Sequence, residues 1–188
     1  MKEEILNFNR TFVEERKYER YRTSKYPDKK VAIVTCMDTR LTELLPAALG
    51  LKNGDAKIIK NAGGMISHPF GSVVRSLVVA VYELGVKEIF VIGHTDCGVQ
   101  NMDSKKIIVN MEERGIPAQR IALAEDFGVD LHAWLKGFDD VIESVQNSVA
   151  LLRRHPLLPA DIDIYGFVMD SDTGKITEIP AKFSVSKE

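Results

Sequence analysis

The segment VAIVTCMDTRL, residues 31–41, places three reactive side chains directly after a hydrophobic strand. Residues 31–35 are apolar or β-branched, as is typical of a buried strand. Cys36, Asp38 and Arg40 follow where that strand is expected to end. In open parallel sheets, ligands bind beyond the carboxyl ends of the strands. The segment therefore predicts a functional site at the end of a buried strand.

Strand and helix patterns alternate after this segment. AKIIK, residues 56–60, predicts a second strand, and KEIFVIG, residues 87–93, predicts a third. Between them, the apolar residues 70–86 predict a helix that ends near Gly85. This order predicts an α/β fold in which helices flank a mostly parallel central β-sheet.

The N-terminal part of the chain shows a separate helical pattern. Residues 1–25 carry apolar side chains at three- and four-residue steps, which predicts an amphipathic helix. Beyond Val13 most residues are charged, so this helix cannot fill a core alone. We expect it to lie across another surface, such as that of a second subunit. Further along, residues 41–45 predict a short helix that Pro46 interrupts.

The C-terminal half is expected to be mainly helical before it ends in strands. Helical spacing occurs in residues 116–128, 129–137 and 138–154. Residues 161–170 and 175–179, joined by the turn SDTG, form either a β-hairpin or a further sheet strand with a hairpin tail. No repeat or low-complexity linker interrupts the chain, which predicts one domain.

The composition is that of a globular protein, with 45% apolar and 28% charged residues. A net charge of -2 gives no clustered basic surface for nucleic acid. No apolar run approaches the roughly 20 residues that span a membrane. The acid-rich N-terminus also lacks the apolar core of a signal peptide. We therefore expect a cytoplasmic protein that binds neither nucleic acid nor membrane.

The two cysteines of the chain, Cys36 and Cys97, have neighbours that indicate metal binding. In a reducing compartment, isolated cysteines are more often free, metal-bound or catalytic than disulfide-bonded. Cys97 lies in HTDCG, residues 94–98, which follows the third strand and has the common metal-ligand spacing His-x-x-Cys. Because parallel strands end at the same edge of a sheet, His94 can converge with both thiols.

Two thiolates and an imidazole are ligands that suit Zn²⁺. Three protein ligands leave a fourth tetrahedral position, where a bound water can ionise near neutral pH. Asp38 is the nearest further ligand that the chain offers. The sequence thus predicts a zinc site at the carboxyl ends of the strands.

The paired motifs closely resemble those of the β-class carbonic anhydrases. The signature of that family is Cys-x-Asp-Ser/Thr-Arg followed by His-x-x-Cys, present here as CMDTR and HTDCG. KNAGG, residues 60–64, resembles the family's segment at the end of its second strand. The resemblance is strongest over residues 31–98 and weaker beyond, and the short chain is similar to a compact branch found in archaea and some bacteria.

The resemblance implies a zinc enzyme that converts CO₂ reversibly to bicarbonate and a proton. Cys36, His94 and Cys97 would bind one Zn²⁺ per chain, and zinc-bound hydroxide would attack CO₂. Asp38 and Arg40 would form the catalytic dyad that controls the fourth coordination position. In the family, Asp38 either stays on the arginine, the open state, or binds zinc as a fourth ligand, the closed state.

The resemblance also implies supporting residues and partners. Asn61, Ala62, Gly63, Gly64 and Gly98 would support the site, although the glycines alone fit a plain turn equally well. Family members form homodimers or larger even-numbered oligomers, in which the N-terminal helix packs on a partner subunit.

The single domain, residues 1–188, would then have three parts. Residues 1–26 form an N-terminal helical arm, residues 31–98 the zinc-site core, and residues 99–188 a helical region with C-terminal strands. Asp96, between two predicted ligands, either orients a ligand or caps the following helix.

Alternative functions share the predicted zinc site. One is hydrolysis of another small substrate, carbon disulfide or carbonyl sulfide, as in close relatives of the family. Another is a catalytically silent zinc module in which Asp38 permanently fills the fourth position, although Arg40 argues against it. A redox dithiol fits least well, because the chain has no Cys-x-x-Cys motif.

Overall fold

A five-stranded sheet forms the centre of the computed structural model, which describes residues 1–180 apart from the side chain of residue 125. The strands are β1 (Val31–Cys36), β2 (Ala56–Asn61), β3 (Glu88–His94), β4 (Asp163–Met169) and β5 (Ile176–Ile179). Their order is β2-β1-β3-β4-β5, and every neighbouring pair is parallel except β4 and β5. The predicted α/β fold with a mostly parallel sheet is confirmed.

Seven α-helices lie in the described part of the chain. They are α1 (Lys2–Glu14), α2 (Leu44–Ala48), α3 (Ser72–Leu84), α4 (Ser104–Glu113), α5 (Ala118–Asp126), α6 (Leu131–Leu135) and α7 (Val141–Arg153). Short 3-10 helices occupy Lys17–Tyr21, Thr39–Leu41 and Ala62–Gly64. No helix among residues 1–180 is long and apolar enough to cross a membrane. Residues 181–188 of the predicted C-terminal region lie outside the described residues.

Both faces of β1 are buried, because the strand lies between β2 and β3 with helices on either side. Ala32 and Val34 point into one hydrophobic cluster, which includes residues of α3 and α7. Val31 and Ile33 point into the opposite cluster, with residues from α2 and β3. A strand buried on both faces has a continuous apolar sequence, as residues 31–34 do.

Two local predictions were wrong for reasons of backbone geometry. The N-terminal helix ends at Glu14, well before residue 25, because Arg16 adopts a left-handed conformation (φ 55°) and a 3-10 turn follows. Pro46 does not interrupt a helix but lies in the first turn of α2, where its missing N–H is not needed.

The C-terminal strands follow one of the two predicted arrangements. β4 extends the sheet in parallel with β3, and β5 returns antiparallel to it as a hairpin tail. α4 has no counterpart in the sequence predictions. Ile107, Ile108 and Met111 have helical spacing and lie half-buried on one face of α4, although none of its residues is fully buried.

The strand register brings the ends of β1, β2 and β3 to one edge of the sheet. Cys36, the last residue of β1, pairs with Asn61, the last residue of β2. His94, the last residue of β3, lies two positions beyond Ile92, which pairs with Thr35 of β1. This edge therefore carries the chemically reactive residues that the sequence predicted to meet.

Candidate metal centre and catalytic dyad

Cys36, His94 and Cys97 converge at the carboxyl edge of the sheet. One ligand atom from each residue lies within 4.8 Å of the other two, and all three residues are buried. The sulfurs of Cys36 and Cys97 are 3.7 Å apart, and both cysteines are free. The convergence predicted from the two strand ends is observed, and the donor set fits a zinc site.

The imidazole of His94 has one engaged and one unengaged nitrogen. Nδ1 lies 2.8 Å from the Thr95 carbonyl oxygen, which requires a proton on Nδ1. Nε2 is buried, and within residues 1–180 it has no hydrogen-bond partner. A buried nitrogen lone pair without a donor is costly in a folded protein. Beside two thiols, it is the arrangement that a metal ion would complete.

The turn that carries His94 and Cys97 is tied to β4. The Thr95 amide donates to the Met169 carbonyl at 2.9 Å, and the Ser171 amide donates to Thr95 Oγ1 at 3.0 Å. These bonds fix the turn relative to two strands of the sheet. The sequence carried no distinctive signal for this role of Thr95.

Asp38 and Arg40 form a forked ion pair beside the three ligands. Arg40 Nε donates to Asp38 Oδ1 at 3.1 Å, and Arg40 Nη2 donates to Asp38 Oδ2 at 2.9 Å. The Arg40 amide also donates to Asp38 Oδ1 at 2.9 Å, which caps the 3-10 turn Thr39–Leu41. Asp38 Oδ2 lies 3.9 Å from His94 Nε2, so the carboxylate borders the metal pocket.

The ion pair fixes the protonation state of Asp38. Hydrogen bonding from Arg40 lowers the pKa of Asp38 to about 2. The hydrogen bond to Asp38 also raises the pKa of Arg40 above its usual range. Asp38 is therefore ionised at physiological pH, and its oxygens act as acceptors only.

The pKa values of the two thiols move in opposite directions. Burial raises the pKa of Cys36, but the adjacent His94 imidazole and hydrogen bonds from the backbone outweigh this effect and lower it to about 7. Burial and the charge of the Cys36 thiolate raise the pKa of Cys97 to about 11. Near neutral pH and without a bound cation, the pair therefore carries at most one thiolate, on Cys36, while Cys97 stays protonated.

We expect metal binding to release protons, because a metal ligand must be deprotonated. The raised pKa of Cys97 keeps its thiol protonated until well above neutrality, so Zn²⁺ must displace that proton and zinc affinity must rise with pH. Titration calorimetry at about pH 7.5, in buffers of different ionisation enthalpy, should show release of about one to two protons per zinc. An observed enthalpy independent of the buffer would contradict this linkage.

The predicted supporting segment lies against the first ligand through its backbone. The Met37 amide donates to the Asn61 carbonyl at 2.8 Å, and Asn61 Nδ2 donates to the Met65 carbonyl at 2.7 Å. Ala62 and Gly63 lie in the 3-10 turn that follows. Gly64 has φ 62°, and a Cβ added there would lie 2.8 Å from the Cys36 amide nitrogen. The close approach at Gly64 explains why glycine is needed there.

Gly64→Ala should destabilise the protein by about 2–5 kcal/mol, from left-handed strain plus overpacking against backbone. Gly85→Ala is a matched control, because Gly85 has φ 72° but a Cβ added there would meet nothing within 4 Å. It should lose only about 1–2 kcal/mol. Urea unfolding of both variants measures the difference, and equal losses would contradict the steric argument. A Cβ added at Gly98 would meet none of the described residues within 4 Å, so no steric contact among them supports its predicted role.

Comparison with known proteins establishes the family. Residues 31–176 match the family model described as carbonic anhydrase. The chain belongs to the carbonic anhydrase family. Its resemblance to the β class, inferred from CMDTR and HTDCG, is confirmed by a solved β-carbonic anhydrase, isoform I of Trichomonas vaginalis. That structure has a TM-score of 0.87 and 39% identity, and the match covers 97% of this chain and 99% of the other.

Curated relatives include carbonic anhydrases and a hydrolase. "Putative carbonic anhydrase YtiB" of Bacillus subtilis (strain 168) is 53% identical, and the match covers 92% of each chain. The carbon disulfide hydrolase of Acidithiobacillus thiooxidans is 30% identical, over 86% of this anhydrase and 81% of the relative.

One residue of this carbonic anhydrase has a contact that sequence reasoning missed. Asp96 bonds Arg40 rather than a helix end, and α4 is capped by Asp103 instead. The capping interpretation of Asp96 is therefore wrong. Asp96 and Arg40 lie 56 positions apart, so no local pattern could link them.

Proposed function

We propose that this chain is a zinc-dependent enzyme that hydrates CO₂ reversibly to bicarbonate and a proton. The observation that carries the proposal is a buried Cys/His/Cys cluster with an unengaged histidine nitrogen, bordered by an ionised aspartate on an arginine. Membership of the carbonic anhydrase family supports the same reaction. Family membership supports the general reaction, whereas the zinc ion and the catalytic roles of Asp38 and Arg40 are proposed here from the geometry of the site.

Cys36, His94 and Cys97 would hold Zn²⁺ and leave one coordination position open. When bound, Zn²⁺ would supply Lewis acidity that lets water ionise near neutral pH, and the resulting hydroxide can attack CO₂. The buried cluster keeps both thiols away from solvent. The Thr95 carbonyl fixes the His94 tautomer, so that Nε2 faces the metal as an acceptor.

Asp38 would act as a hydrogen-bond acceptor beside the open position. Because it stays ionised, it would accept a hydrogen bond from an O–H group there and orient the oxygen's lone pair toward CO₂. Arg40 engages both carboxylate oxygens and restricts their direction. To bind the metal instead, Asp38 would have to leave these charge-assisted bonds, which supports the open arrangement.

The test is stopped-flow CO₂ hydration against pH, on protein with measured zinc content. Strong activity with one zinc per chain supports the proposal. Activity confined to alkaline pH would mean that Asp38 occupies the metal at neutral pH. Zinc-loaded protein without hydration at any pH contradicts the proposal.

Hydrolysis of carbon disulfide is the second candidate, because a carbon disulfide hydrolase is among the relatives. The same zinc-loaded protein should be assayed for sulfide release from carbon disulfide and carbonyl sulfide. Sulfide release without CO₂ hydration would favour this candidate. The silent-module alternative gains nothing from the structure, because Asp38 is paired with Arg40 rather than directed solely at the ligands.

We also propose that the enzyme is a homodimer or a larger even-numbered oligomer. α1 buries none of its residues within the single chain, and Phe8 on this helix is 70% exposed. A partner subunit would cover this apolar side, as expected for the N-terminal arm. Light scattering coupled to size exclusion measures the assembly, and a monomer at micromolar concentration would contradict it.

A further inference from the structure

Arg40 is held on two sides, and only one of them is the dyad. On the second side, Arg40 Nη1 donates to Asp96 Oδ2 at 2.9 Å, and Arg40 Nη2 donates to the Asp96 carbonyl at 2.8 Å. Nε and Nη2 bond Asp38. The guanidinium is thus clamped between the carboxylates of Asp38 and Asp96.

Neither packing nor capping explains the geometry of Asp96. Its side chain is 84% exposed, so it fills no core, and it caps none of the helices in the described part of the chain. Its backbone is left-handed, with φ 52°, a conformation uncommon outside glycine but best tolerated by Asn and Asp. In this conformation the carboxylate and the carbonyl of one residue both reach the same guanidinium.

The position of Asp96 in the chain connects the clamp to the metal ligands. Asp96 lies between His94 and Cys97, whose turn is tied to β4 through Thr95. Arg40 itself is 37% exposed and sits on the short turn after β1. Without Asp96, Asp38 would be the only hydrogen-bond partner of this long side chain within residues 1–180.

We infer that Asp96 is a positioning residue that holds Arg40 in the orientation in which Arg40 retains Asp38 away from the metal. This inference rests on the proposed function of the dyad and deepens it. Losing the carboxylate of Asp96 would let the guanidinium leave Asp38 more often, and Asp38 would then be free to fill the fourth coordination position. If Asp96 instead competed with Asp38 for Arg40, loss of the Asp96 carboxylate would strengthen the Asp38–Arg40 pair and increase activity.

Three variants separate the parts of the contact. Asp96→Gly keeps the left-handed backbone and the carbonyl but removes the carboxylate. Asp96→Asn keeps an acceptor and tolerates the same backbone. Asp161→Gly is the control, because Asp161 is an exposed acid just before β4, at the opposite edge of the sheet.

The first readout does not depend on catalysis. Full-length zinc-loaded and zinc-free proteins are treated with phenylglyoxal, and modification of Arg40 is followed by peptide mass spectrometry. Asp96→Gly should speed the modification about two- to fivefold, the range for an exposed charge-assisted pair. Asp96→Asn should restore at least half of the protection, and the control should match wild type.

The second readout is a double-mutant cycle on kcat/KM at equal zinc content. Asp96→Gly should lower kcat/KM about two- to fivefold in the wild-type background and leave it unchanged in the Arg40→Ala background. An equal loss in both backgrounds would show that Asp96 acts on the fold rather than on Arg40. Unchanged or slower modification of Arg40, or increased activity, would also overturn the inference.

The two readouts keep the inference separate from the proposed function. If wild type hydrates no CO₂ but Asp96→Gly exposes Arg40, the proposed function fails and the clamp stands. If wild type is active and Arg40 modification is unchanged, the clamp fails alone.

Discussion

Cys97→Ser is expected to abolish zinc binding and CO₂ hydration together. The serine hydroxyl is a far weaker zinc ligand than a thiolate, and Cys97 lies buried with its sulfur 3.7 Å from that of Cys36. Residues that merely orient zinc ligands contribute about 10- to 100-fold to affinity, so loss of a ligand should exceed about 100-fold. Metal content after desalting and stopped-flow hydration measure both effects.

The fold should survive this substitution, because serine is nearly isosteric with cysteine. Circular dichroism should therefore show wild-type secondary structure in Cys97→Ser, and Cys36→Ser should behave in the same way. Stoichiometric zinc with full hydration activity in Cys97→Ser would remove Cys97 from the ligand set.

Asp38→Ala is expected to retain zinc but lose most catalysis. The three ligands remain, while the only carboxylate within 4 Å of His94 Nε2 among the described residues is removed. A positioned proton acceptor or hydrogen-bonding group typically contributes about 100- to 1,000-fold to the rate, and we expect a loss of kcat/KM in that range. Stopped-flow hydration from neutral to alkaline pH measures it.

Asp161→Ala is the matched control, since it removes an exposed acid at the opposite edge of the sheet. It should keep both zinc and activity. If Asp38→Ala were as active as wild type at every pH, the dyad would have no catalytic role. Loss of zinc in Asp38→Ala would instead assign the carboxylate to the metal.

The parts of this protein that could be predicted are those governed by strand periodicity and local motifs. Residues 31–35 and 87–93 were recognisable as buried strands, and parallel strands bring Cys36 and His94 to the same edge. The Asp38–Arg40 pair is local as well, because two positions separate the residues.

The remaining features depend on long-range contacts or on unusual backbone conformations, and neither leaves a repeating pattern in the sequence. Arg16 ends the N-terminal helix through a left-handed conformation that arginine rarely adopts. The bond from Arg40 to Asp96 requires the tertiary arrangement of two strand ends.

The location of the two thiols has a further consequence for the chain as a polymer. Cys36 and Cys97 are 61 positions apart, on elements that follow different strands. An ion bound to both would cross-link the chain and restrict its unfolded ensemble much as a covalent bridge does. For a loop of this length, chain entropy gives about 4 kcal/mol. Removal of that ion with a chelator should therefore lower the melting temperature.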